Sequence, residues 1–82
     1  MHIILKKDKP WYIAKLSSNK SIYGFGDTPL QAVQYLIENY SIWKQVDNEL
    51  SKENEKIVKN IDYKKLRMIF ENVSFNSLSV KI

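Results

Sequence analysis

Few side chains in this 82-residue sequence could carry chemistry of their own. Nucleophilic catalysis needs an activated Ser, Thr or Cys beside a base, and the chain has no cysteine and one histidine, His2. A metal site needs His, Cys or carboxylates clustered at ligand spacing, and no such spacing occurs. Asp47 and Glu49 form an acidic pair without a partner base. Gly24-Phe25-Gly26 has the outline of a phosphate-cradling loop ahead of a helix, but the third glycine and the following Lys-Ser/Thr are missing. Asp27 would also repel an anion there. No catalytic residue, cofactor or metal is therefore expected, and the chain reads as non-enzymatic.

What remains is aromatic and basic. Ten aromatic residues exceed what one small sheet-helix interface can readily bury, and Trp and Tyr are enriched where proteins dock. Trp11, Tyr12, Tyr23 and Phe25 fall among Lys6, Lys15 and Lys20. Trp11, Tyr12, Lys15, Tyr23 and Phe25 are thus the candidate partner-binding residues, though one side of the sheet that carries them must be core. The same set could stack single-stranded bases above a basic rim, but no K/R-G-F/Y-G/A-F-V signature is present. A protein partner is the first expectation and single-stranded nucleic acid an alternative. An unpaired sheet edge also points to a homodimer or a heteromeric complex.

Charge and length bound these readings. The net charge of +4 permits an acidic protein surface or nucleic acid without requiring either. It is unevenly spread: residues 1–26 carry +4, 27–50 carry −3, and 63–82 carry +3. The chain is long enough for one domain and one core. Ile3-Ile4-Leu5 is too short for a signal region or a membrane span. A soluble, cytoplasmic protein without a membrane role is expected, and the lack of cysteine fits a reducing compartment.

The elements that must position these residues are legible as a change of period. His2 to Lys7 is apolar and β-branched, and Lys7-Asp8-Lys9-Pro10 ends it. Trp11 to Leu16 alternates, with Trp11 and Ile13 on one face and Tyr12, Ala14 and Leu16 on the other. Ser17 to Lys20 is a turn. Ser21 to Phe25 follows, with Ile22 facing opposite to Tyr23 and Phe25. Short links imply an antiparallel meander. At Gly24-Phe25-Gly26-Asp27-Thr28-Pro29 the strand becomes a helix: the glycines supply the backbone freedom that a corner needs and a Cβ would deny, Thr28 caps, Pro29 fits the first turn, and Gln31 can close a capping box. Leu30, Val33, Leu36, Ile37, Tyr40, Trp43, Val46 and Leu50 then keep helical spacing, while Gln31, Gln34 and Asn39 fall on the opposite face. A break near Ser51 and a short helix to about Lys59 are expected. Asp62 caps a further helix with Leu66, Ile69, Phe70 and Val73 in one stripe. Leu78 to Ile82 alternates as a last strand. The fold class is α+β: a three-stranded antiparallel meander under a long amphipathic helix, then one or two shorter helices and a C-terminal strand.

Ile22-Tyr23-Gly24-Phe25-Gly26-Asp27-Thr28-Pro29-Leu30-Gln31-Ala32-Val33 resembles the core of HicB-like antitoxin domains, in which a strand meets an amphipathic helix at a G-x-G-D-T-x-x-E-A-type junction. Gly24, Gly26, Asp27, Thr28 and Ala32 match, with Gln31 where the family often has Glu. The resemblance covers roughly the first 50 residues and implies a partly degraded ribonuclease-H-like β-β-β-α-β fold that binds and blocks a small toxin ribonuclease. A second protein-binding reading is a phage or mobile-element inhibitor of a host defence complex, of the anti-CRISPR kind.

Overall fold

A computed structural model of the chain describes residues 1–46 and 60–82. The order is β1 (His2–Asp8), β2 (Trp11–Leu16), β3 (Tyr23–Gly26), α1 (Pro29–Val46), α2 (Tyr63–Asn72) and β4 (Ser77–Lys81). The expected α+β class is what is found. The expected break near Ser51 and the short helix to Lys59 lie outside the described residues.

All three ladders are antiparallel, and the sheet order is β3-β2-β1-β4. Lys9 and Pro10 alone join β1 to β2, through a cis Lys9–Pro10 bond, so Asp8 stands opposite Trp11. Asn19 shapes the next link: its Oδ1 accepts from the Ser21 N–H (3.1 Å) and its carbonyl from the Ile22 N–H (3.1 Å). Short polar side chains that bond their own backbone two residues on are what such turns select. β4 closes the sheet beside β1, pairing Val80 with Ile3 and Leu78 with Leu5.

The start of α1 follows from its capping chemistry. Thr28 Oγ1 accepts from the Gln31 N–H (3.1 Å), and the Thr28 carbonyl accepts the first helical bond from the Ala32 N–H (3.0 Å). Gln31 Oε1 reaches back one residue further than a standard capping box, to the Asp27 N–H (2.9 Å). In α2 the Asp62 carboxylate accepts from the Lys65 N–H (3.0 Å), as an N-cap should.

The two glycines before α1 are there for a different reason than backbone freedom. Neither has a positive φ. A Cβ on Gly24 would collide with the Leu36 backbone nitrogen and lie 2.7 Å from the Ala32 carbonyl oxygen. The α1 backbone rests directly on the strand, and only glycine leaves room. On Gly26 the neighbour is the Gln31 side chain, at 2.9 Å.

One face of the sheet is thereby covered. Ile3, Leu5, Ala14, Leu16 and Val80 pack with Ile22, Ala32, Val33, Leu36, Ile37 and Tyr40 and with Leu66 and Phe70 of α2 in one core. The expected α2 stripe is only half used: Leu66 and Phe70 are buried, whereas Ile69 and Val73 stand at the surface. The period is helical, but the core takes only two of its rows.

Candidate functional site

The cross-strand register decides which candidate residues meet. Lys6 pairs with Ile13 and Ile13 with Phe25, while Ile4 pairs with Lys15 and Lys15 with Tyr23. Opposed residues in a ladder point to the same side, and alternate residues share a face. Trp11, Ile13, Lys15, Tyr23 and Phe25 therefore occupy one face with Ile4 and Lys6, and the helices cover the other. Lys81, opposite His2, stands on the same open face.

Four of the five candidates are thus brought together, and Tyr12 is not. Tyr12 lies on the covered face, opposite Gly26 and Lys7. It is half-buried, with its ring 6.1 Å from Phe75 and Lys7 Nζ 6.0 Å from its centroid. As a contact residue of the open face, Tyr12 is corrected to a core-edge residue. Its parity with Ala14 and Leu16 dictates that placement.

On the open face the rings form a cluster. Trp11 meets Phe25 edge-on at 6.2 Å and 74°, and Tyr23 lies nearly parallel to Phe25 at 6.5 Å and 21°. Trp11, Tyr23 and Phe25 nevertheless remain 48, 47 and 53% exposed. Such rings lose little conformational entropy on docking and offer large apolar area. Lys6 and Lys15 edge the cluster, and Asp8 stands opposite Trp11 on the same face, so the border carries both signs with the positive in excess.

Among the described residues β3 is an edge strand, and the cluster continues around that edge. A groove of ≈ 340 Å³ is lined by Trp11, Phe25, Gly26, Asp27, Gln31, Tyr35 and Asn39. Gln31, Tyr35 and Asn39 are spaced four apart on α1 and form a row along the strand. Asn39 Nδ2 donates to the Tyr23 carbonyl (2.6 Å), and Gln31 holds the Asp27 N–H. Sequence reasoning put Gln31 and Asn39 on a face opposite the apolar stripe and passed over Tyr35. The four-residue spacing was the available signal, but its use depends on α1 lying directly over Gly24.

A second cavity of ≈ 490 Å³ lies between the α1 start, α2 and the 73–75 segment, among Lys7, Tyr12, Leu30, Arg67 and Phe75. Arg67 is engaged with Glu71 there, Nε to Oε1 3.1 Å. Among the described residues no group of three or more His, Cys, Asp or Glu is placed to hold a metal ion, and no helix is long and apolar enough to cross a membrane. No protein-family model, curated protein or solved structure matches the chain.

Proposed function

We propose that the chain is a non-catalytic binding module that uses the open sheet face to dock on, and inhibit, a protein partner. The supporting observation is the segregation of Trp11, Tyr23 and Phe25, with Ile13 and Lys15, onto the sheet face that neither of the described helices covers. Exposed aromatics gathered in a patch mark an interaction surface more strongly than the same residues scattered. Lys6 and Lys15 select a partner with acidic groups around an apolar centre. The corner Gly24-Gly26-Asp27-Thr28-Pro29 and Ala32 serves structure: it seats α1 and keeps the other face clear.

Blocking a partner in the manner of HicB-like antitoxins is the form of inhibition that the junction residues favour. It predicts a stable complex with the product of an adjacent short gene. An inhibitor of a host defence complex uses the same face and predicts no such neighbour. The test is reconstitution from purified components with the identified partner. Trp11→Ala and Lys15→Glu should each weaken binding by more than about 1 kcal/mol while leaving the fold unchanged. Unchanged affinity in both variants would sink the reading.

A nucleic-acid reading has one observation in its favour. Tyr23 and Phe25 present near-parallel rings beside Lys15, a layout on which single-stranded bases stack. It predicts RNA binding that falls steeply with salt. Binding of single-stranded RNA without any protein partner would replace the protein-binding reading.

A further inference from the structure

We propose that two copies of this chain join edge to edge through β3, antiparallel, with Phe25 facing Phe25 of the second copy across a two-fold axis. The backbone makes the first case. The Ile22 carbonyl accepts from the Leu16 N–H of β2 (3.0 Å), whereas the Tyr23 carbonyl turns away from β2 to accept from Asn39 (2.6 Å). In an antiparallel ladder this direction alternates, so Phe25, like Tyr23, turns its N–H and C=O toward the open edge. A residue that offers both groups can exchange both bonds with its own copy, which is what a two-fold strand pair requires.

The register that follows fits residue by residue. With Phe25 on the axis, Gly24 falls opposite Gly26 of the second copy, and Tyr23 opposite its Asp27. On the helix side the contact is then glycine against glycine, with each copy's own α1 backbone and Gln31 already over the strand, so no side chain of β3 stands between the two copies. Tyr35, 48% exposed and lining the groove beside Phe25, is the α1 side chain that borders the join. On the open side the aromatic clusters of the two copies become one continuous strip.

Charge complementarity selects the orientation and the occupant. The edge is negative at its Asp27 end and positive at its Tyr23 end, where Lys15 is the β2 neighbour of Tyr23. An antiparallel second copy sets each Asp27 toward the other's Lys15 end, whereas a parallel copy would set Asp27 beside Asp27. The opposite edge, β4, carries only Lys81 as a charge, so self-pairing there gains no opposite sign. Gln31 and Asn39 restrict the joint to its centre. The Tyr23 carbonyl retains a second lone pair for the incoming strand, but the Asp27 N–H is already donated to Gln31. The stretch that can pair is therefore short, which suits a discrete dimer.

The test is sedimentation velocity of the full chain over a concentration series, without any other protein, paired with hydrogen exchange at the Phe25 amide. The expected result is a monomer–dimer equilibrium with Phe25 protection that grows with concentration. Tyr35→Lys, on the exposed side of α1, should weaken association about tenfold or more with unchanged circular dichroism. Phe25→Pro removes an N–H that β2 does not use and should do the same. If that variant fails to fold, Tyr35→Lys alone decides. Exchanging the charges, Asp27→Lys with Lys15→Glu, should restore association that Asp27→Lys alone loses. A chain that remains monomeric throughout, or a dimer indifferent to Tyr35→Lys, overturns the proposal. Because Tyr35 lies off the open face, loss of the dimer and loss of partner docking remain distinguishable.

Discussion

At the scale of single residues, the tightest constraint in the molecule is the hydrogen atom that Gly24 has in place of a side chain. Any Cβ there enters the α1 backbone at Ala32, Tyr35 and Leu36, and a helix backbone cannot yield without moving the whole helix. Gly26 differs in degree, because its nearest neighbours are side-chain atoms of Gln31, of which Cγ and Oε1 can rotate away while Cβ is fixed to the helix. Gly24→Ala should therefore cost at least about 1–3 kcal/mol, the range for overpacking a close-fitted site. Gly26→Ala should cost less, mainly by displacing Gln31 from the Asp27 N–H. Denaturant unfolding of both variants checks the order, and equal costs would contradict the close-approach account. Thr28→Ala, which deletes the cap on the Gln31 N–H, should cost about 1 kcal/mol. Sequence alone marked both glycines as a corner but attached the wrong cause to them. Left-handed backbone and close approach select the same residue, and only the position of α1 separates them.

Elements show where local pattern was sufficient and where it was not. Alternation in Trp11 to Leu16 and in Ile22 to Phe25 assigned each side chain to a face correctly, because a strand has a period of two whatever it packs against. What alternation cannot supply is pairing across strands. That Tyr12 meets Gly26, and Trp11 the end of β3 near Asp27, needed the register, as did the place of β4 beside β1. In α2 the spacing of Leu66, Ile69, Phe70 and Val73 was right for a helix yet wrong for burial, since the helix docks through Leu66 and Phe70. Tyr63, at the start of α2, reports that docking by its titration. Burial raises its phenol above the ordinary 10.0, so the folded chain holds this proton where the unfolded chain has released it. The stabilisation is complete below the unfolded pKa, about 10, and is lost as pH rises through the higher folded value. Thermal unfolding from pH 8 to 11 should show falling stability on the alkaline side, with a shallower fall in Tyr63→Phe. An identical alkaline slope in that variant would place Tyr63 outside the docked surface.

For the whole molecule, the decisive feature is that the two helices among the described residues lie on one side of a four-stranded sheet. This arrangement divides the apolar residues into two populations that should respond oppositely to substitution. Leu36 is fully buried over β3, and Leu36→Ala should cost about 2–5 kcal/mol of stability through lost transfer energy and a residual cavity. Trp11 is about as large as any residue in the chain yet stands 48% exposed, held by an edge contact with Phe25 rather than enclosed. Trp11→Ala forfeits that contact and part of one buried ring face, so its stability cost should fall well below that of Leu36→Ala. Its cost in partner affinity should exceed about 1 kcal/mol, as for an interface anchor. The opposite ranking, with Trp11→Ala unfolding the chain and leaving binding intact in what remains folded, would make the aromatic cluster a second core. The same division predicts a response to salt. Lys6 and Lys15 border the cluster, so raising ionic strength should slow association with an acidic partner while leaving dissociation nearly unchanged, because screening acts on the approach of charges and the rings hold the docked state. Stopped-flow measurement at two ionic strengths separates the two rates. An effect confined to dissociation would mean that the lysines are desolvated and paired within the contact, at its centre rather than its border.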